Sequence, residues 1–143
     1  MIPFDGEPLV EDGITYHSIE NYYQAMKCAD RADREYIATL EPKKSKTELK
    51  NPKYKLREGW GTPMKLFYMR KGIDHKFRLD TTWGQQLLAT GKEDIVEWNN
   101  WNDTFWGKDV DTKKGSNWLG MLLKYRRQEL FVERYMNEST VQS

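Results

Sequence analysis

Cysteine and histidine are nearly missing from this sequence: Cys28 stands alone, and His17 and His75 are the two imidazoles. One thiol excludes an intramolecular disulfide and a thiolate zinc cluster, and two imidazoles exclude a three-histidine zinc site. A Ser–His–Asp or Cys–His centre has no supporting motif, and neither a P-loop nor a dinucleotide fingerprint is present. No metal and no cofactor is expected. No apolar run approaches the ~20 residues that a membrane helix needs. Met1 to Asp5 shows no basic stretch followed by an apolar one, so neither a membrane partner nor a secretory signal is expected. The expected location is a reducing cytoplasm. Excess charge of one sign is also missing: 23 Lys and Arg face 22 Asp and Glu. That excludes a protein held to a polyanion by bulk charge.

Aromatic residues are what the chain has in plenty. Six Trp, eight Tyr and five Phe occur in 143 residues. Such density is incompatible with disorder. It leaves two uses open, a core built on large rings or a surface that stacks planar ligands.

The length fits one domain, expected over residues 1–135 with a flexible tail at 136–143. Glu7 to Tyr16 reads as a hairpin turning at Glu11-Asp12-Gly13. Ser18 is placed to cap a helix over 19–29, on which Ile19, Tyr22, Tyr23 and Met26 share a side. Further helices are expected at 31–40, briefly within the lysine-rich 43–55 stretch, and from Pro63 to about Leu79, with Thr62 as N-cap. Met64 and Phe67 are assigned to the core. A short helix over 82–89 closes at Gly91, and Ile95-Val96 suits a strand. Residues 99–115 read as loop, and Ser116 or Asn117 caps a last helix to about Tyr135. The expected fold is mainly α, a compact multihelical single domain with a small N-terminal β-hairpin.

Three places hold more polar detail than packing requires. Glu20, Gln24 and Lys27 lie at i, i+4 and i+7 on one helix face beside tyrosines. They form either a solvated face with a weak charge pair or a seat for a polar ligand. The stretch from Glu97 to Gly107 mixes Trp98, Trp101 and Trp106 with three asparagines, Glu97 and Asp103. It is either a Trp-anchored loop or a site that stacks a base or sugar, worth about 1–3 kcal/mol per stacked base. Gly115-Ser116-Asn117 opens a helix whose free N–H groups favour an anion, though such starts are common. Arg126 and Arg127 follow on a face expected to be open to solvent, like the Lys43 to Lys55 stretch. Carboxylates, amides, lysines and rings are an inventory able to hydrolyse a glycosidic bond through an oxocarbenium-like transition state.

These pieces also occur in a known order. Tyr16-His17-Ser18-Ile19-Glu20-Asn21-Tyr22-Tyr23-Gln24-Ala25-Met26-Lys27 resembles the "YPSVEHYYQAMK" signature of the NADAR (YbiA-like) family. Trp60, Met69 and Lys76-Phe77 look like its "W…M…KF" helix. Leu87 to Gly91 with Ile95-Val96-Glu97, Asp103 to Gly107, and Gly115 to Leu123 with Arg126 resemble its later motifs. The likeness spans about residues 9 to 130. There are departures. Asn21 replaces a usual His, His17 a usual Pro, and Lys108-Asp109 a glycine-bearing turn. Met1-Ile2-Pro3-Phe4 stands where the family has a "FLSNF"-like segment, which marks the chain as a shortened member whose ligand contacts differ.

The resemblance implies a compact helical fold and N-glycosidase activity. The expected substrate is a small phosphorylated ribosyl-base, such as an early riboflavin-biosynthesis intermediate or a related ribosylated base. ADP-ribosylated nucleic acid and a non-catalytic ADP-ribose-binding module are the alternatives. Glu20 is expected as principal catalytic carboxylate and Asp103 as its partner or a sugar ligand, with Glu97 a third acid at the site. Tyr23 and Trp106 would stack the substrate and Gln24 would hydrogen-bond it. Lys27 and Lys76 would meet phosphate beside the helix start at Asn117, with Gly107 in the adjoining loop. Oligomeric state is left open by the sequence.

Overall fold

Turn chemistry at Asp12-Gly13 decides the first element. Both residues have positive φ, 53° and 74°, as a two-residue hairpin loop of type I′ requires. In the computed structural model, β1 (Leu9–Glu11) accordingly pairs antiparallel with β2 (Ile14–Tyr16), Leu9 opposite Tyr16 and Glu11 opposite Ile14. Leu9, Ile14 and Tyr16 are buried while Val10 is exposed, the alternation expected of a hairpin with one face covered. The structure describes Phe4 and residues 7–142, without the side chains of 140–142. Met1, Ile2 and Pro3, with which the sequence comparison begins, and Ser143 of the expected tail lie outside the described residues. The chain divides into two compact units, Met1–Lys76 and Phe77–Ser143.

The first unit is built around α1 (Ile19–Met26), where Ser18 accepts the N–H of Asn21 as its cap. Every residue of α1 except Glu20 is buried. It packs against β2, α2 (Arg31–Thr39), α3 (Pro42–Glu48) and α4 (Thr62–Lys76). The helix stops at Met26, earlier than the expected Ala29, because the following backbone is taken by another segment. Ala29 N–H donates to Lys55 O and Arg57 N–H to Lys27 O, at 2.9 and 2.7 Å. Asn21 makes sense of its departure from histidine. Its Nδ2 donates to both Ile37 O and Leu40 O, 2.9 and 2.8 Å away, and closes the end of α2 against α1. An imidazole has no two donors on one nitrogen.

The core of this unit gathers Leu9, Tyr16, Tyr22, Ala25, Met26, Ile37 and Tyr54, with Trp60 and Tyr68 packed on its edge. Tyr16 and Tyr22 meet edge to face at 5.4 Å. Burial pushes the Tyr16 phenol up to about 12. Burial and the neighbouring Glu11 carboxylate, which accepts its hydroxyl, push Tyr22 higher still. Gly72 brings α4 close to α1: an added Cβ would lie 3.2 Å from Ile19 Cγ2. Three expectations fail in α4. It ends at Lys76 rather than Leu79, and Thr62 is its first helical residue rather than its cap. Phe67, assigned to the core, is 62% exposed.

In the second unit α5 (Thr82–Ala89) is capped by Thr81, which accepts the N–H of Gly84, and Gly91 closes it at φ 64°. The expected strand at Ile95-Val96 is displaced. The strand pair is β3 (Trp98–Asn99) and β4 (Lys108–Asp109), which run parallel. The last helix, α6 (Trp118–Gln142), packs Leu130 with Leu87 and Leu88, while Leu123 and Phe131 cover them. It continues past Tyr135 because Asn137-Glu138-Ser139 holds neither glycine nor proline to stop it. Arg126 and Arg127 do not serve an open face. Arg126 Nε donates to Phe77 O and the buried Arg127 donates to Thr90 Oγ1, each at 2.8 Å. The outcome is the mainly helical fold with an N-terminal hairpin, and a second, unexpected strand pair.

Candidate active site

On the first unit, α1 and the residue that follows it collect four of the sequence-derived residues. Glu20 is the only α1 residue that reaches solvent, because its position faces away from the three packing helices. Gln24, one turn on, donates Nε2 to Glu20 Oε1 at 3.1 Å. Gln24 is 3% exposed, yet its Oε1 has no hydrogen-bond partner. An unmade bond on a buried carbonyl oxygen costs about 1–3 kcal/mol, so such a group needs a reason.

Lys27, a further turn on, sets its ammonium 5.0 Å from the centroid of the Tyr23 ring. Burial pushes Lys27 below the usual lysine range. The Glu20 carboxylate opposes that shift, and the ammoniums of Lys65 and Lys46 reinforce it. Lys27 at the end of α1, Lys46 of α3 and Lys65 of α4 therefore act on one half-buried place beside Glu20. Rings continue outward from Tyr23. Trp60 lies 5.8 Å from it, and Tyr68 is stacked on Trp60 at 6.0 Å and 15°. Arg57 closes the row, with its guanidinium 5.2 Å from the Tyr68 ring and Nε bonded to Met26 O. Lys76 stands on the last turn of α4, 4% exposed, and burial pushes it down to about 8.

On the second unit the remaining candidates build a loop. Asp103 Oδ1 accepts the N–H groups of Phe105 and Trp106, at 3.2 and 2.9 Å. Asn99 accepts from Trp101 and Asp103 and donates to Asp103 O. Asn117 is buried at φ 53°, with its amide accepting from Glu97 N–H and donating to Ile95 O. That clasp straightens 95–97 without a strand partner. The side chain is thus turned away from an N-cap role.

Gly107 is held by shape: an added Cβ would sit 2.0 Å from Glu97 O and 2.8 Å from Asn99 Nδ2. Gly115 and Gly120 are similarly enclosed, by Gly107 O at 2.3 Å and Ile95 O at 2.1 Å. Glu97 and Trp101 are exposed, whereas Trp106 is half-buried with Phe105 edge-on at 4.6 Å. Among the described residues, no three His, Cys, Asp or Glu gather to hold a metal, and no helix is long and apolar enough to cross a membrane.

Sequence reasoning found the Glu20, Tyr23, Gln24 and Lys27 cluster but not Arg57, Lys46 or Lys65. Those three come from the 43–65 stretch, where single charged residues among many give no periodic signal. Trp60 was visible as a motif residue. Its place between Tyr23 and Tyr68 depends on how α4 crosses α1.

In sequence and in fold the chain is similar to known proteins. The chain is 35% identical over 132 residues to the N-glycosidase YbiA of Shigella flexneri serotype 5b, covering 92% of this chain and 81% of that one. It is 34% identical over the same span to the N-glycosidase YbiA of Escherichia coli K12. A riboflavin biosynthesis protein of Vibrio vulnificus is 31% identical over 118 residues, which is 82% of this chain and 32% of that one. The solution structure of E. coli YbiA superposes with a TM-score of 0.77 at 34% identity, covering 90% of this chain and 75% of the other. The NADAR domain profile matches residues 2–131, through both units and every motif discussed above, and the chain belongs to the NADAR domain family.

Proposed function

We propose that this chain is an N-glycosidase that hydrolyses the bond between a ribose phosphate and a heterocyclic base. The observation that carries the reading is the α1 face, where a carboxylate held by an amide sits beside a desolvated ammonium and a wall of rings. As the C1′–N bond breaks, the bonding pair leaves with the base and positive charge builds on C1′. Glu20 stabilises that charge and takes a proton from the attacking water, whose oxygen forms the new C1′–O bond. The departing nitrogen takes up a proton from solvent and Glu20 returns its proton to solvent, so that one water is consumed and free base and ribose phosphate are released. Tyr23, with Trp60 beyond it, flanks the planar base. Gln24 Oε1 receives a donor from the base or sugar, which completes its missing hydrogen bond. Lys27, with Lys46 and Lys65 near it, meets the phosphate, and Lys76 assists from α4.

In the second unit Asp103, Gly107 and Asn117 hold the loop that carries Glu97 and Trp106. The family match through both units supports residues 1–135 as one functional domain. The names of the relatives favour early riboflavin-biosynthesis intermediates as substrates. The lone buried Cys28 fits a reducing cytoplasm.

Product analysis decides the matter. Incubation with a ribosylamino-pyrimidine phosphate is expected to release free base and ribose phosphate. Tight binding without release overturns the enzyme reading. Release only from ADP-ribosylated guanine moves the substrate to nucleic acid.

A further inference from the structure

Exposed apolar side chains concentrate on one helix. Of the large apolar residues exposed in the described part of the chain, Met121, Tyr125, Val132, Tyr135 and Met136 all belong to α6, and Tyr125 and Tyr135 are 62% and 68% exposed. Their spacing is regular. Met121, Tyr125, Gln128, Val132 and Tyr135 alternate steps of four and three, the seam of a two-stranded coiled coil. At about 100° per residue, Met121 points about 180° away from Leu130, whose side chain is fully buried. The seam is thus the outer face of α6, and the core takes the opposite one.

Residues 132–139 at its end are exposed throughout. A continuous apolar stripe of this kind marks an interaction surface more often than ordinary solvent-facing surface.

We infer that α6 is a self-association surface, through which two copies of this chain pair parallel and in register. Charge decides both the occupant and its direction. Lys124 and Glu129 flank the seam on opposite sides. Parallel pairing in register sets Lys124 of each copy beside Glu129 of the other, five residues on, so the attraction occurs twice by symmetry. Antiparallel pairing on the same seam sets the two Glu129 carboxylates against each other. Lys124 now holds the exposed Asp94 at 2.7 Å, and Glu129 lies 3.7 Å from Arg126. Lys124 can leave the exposed Asp94 at little cost, since exposed ion pairs contribute little to stability. Gln128 puts one amide in the middle of the apolar seam, the kind of polar residue that fixes register at some cost in stability.

Sedimentation of the full chain tests this without reference to activity. The wild-type chain is expected to pass from monomer to dimer in the micromolar range. Val132→Glu is expected to weaken the dimer at least tenfold while leaving the helical circular dichroism unchanged. Gln128→Cys is expected to form a disulfide between copies on mild oxidation, since Cys28 is buried and does not compete. That probe needs no disruption of the fold. Glu129→Lys is expected to weaken pairing and Lys124→Glu to restore it when added, a rescue that an effect through Asp94 alone does not produce. A wild-type chain that stays monomeric at high micromolar concentration overturns the inference. So does a dimer indifferent to Val132→Glu. A dimer that Gln128→Cys does not cross-link, or that the charge exchange does not restore, overturns the parallel register.

Discussion

The α1 face and the 97–117 loop look alike as strings of residues, both dense in carboxylates, amides and rings, but their polar atoms are spent differently. In the loop the groups close on the backbone of the loop itself. Asp103 holds two N–H groups, Asn99 makes three bonds to its own turn, and Asn117 clasps 95–97. On α1 they do not close. Gln24 keeps a buried oxygen without a partner, and Lys27 keeps a charge that burial penalises. Satisfied polar groups build a scaffold, whereas costly ones persist where a ligand completes them. Polar density in a sequence does not separate the two, but the hydrogen-bond accounts do.

The sharpest way to break that contrast is at Gly107. A Cβ there meets Glu97 O at 2.0 Å, so Gly107→Ala is expected to cost about 3 kcal/mol or more in stability, read by denaturant titration. A variant that melts like wild type means the loop is not the rigid scaffold described.

Glu20→Gln comes next. It is expected to lower turnover about 10²-fold or more, about 2.7 kcal/mol of transition-state stabilisation, with an unchanged melting temperature. Retained turnover removes Glu20 from the chemistry. Asp103→Ala is expected to do the reverse. It strands two N–H groups and costs about 1–3 kcal/mol of stability. Any loss of turnover should be recovered when the loop is stabilised by lower temperature. A large turnover loss in a variant as stable as wild type moves Asp103 from scaffold to chemistry.

At Lys76 the size of the effect depends on pH. Its folded pKa lies near 8, below the unfolded value of 10.5. Below about pH 8 the ammonium is charged in both states, and folding bears the full cost of burying it. Between about pH 8 and 10.5 the unfolded chain binds more protons than the folded one, so this group's contribution to stability rises with pH. Lys76→Met is therefore expected to be more stable than wild type at pH 7, with the gap closing as pH rises to 10.5. Reading the difference between the two proteins removes the opposite trend from Cys28, whose thiol burial pushes up to about 11. A gap that does not change with pH excludes desolvation as its cause.

Local signals were legible where local physics settles them. Asp12-Gly13 specified a hairpin turn, Ser18 specified a cap, and Gly91 specified a helix end, because each acts on backbone within a few residues. The misread boundaries lie where a distant segment intervenes. Helix α1 gives up 27–29 to backbone pairing with 55–57, and Asn117 turns from cap to clasp because residues 95–97 arrive beside it. Phe67 misled because its spacing suited a core face of α4 that Met69, Gly72 and Ile73 occupy instead.

Composition, turn chemistry and ordered motifs determined the helical class, the hairpin, the family and the carboxylate–amide–lysine line of α1. These depend on residue identity and on the 3.6-residue period alone. Tertiary structure decided which polar groups are satisfied, which ring lies beside Tyr23, which lysines crowd Lys27, and which face of α6 stays bare. Burial and hydrogen-bond completion belong to pairs of residues far apart in the chain, and the sequence does not state those distances.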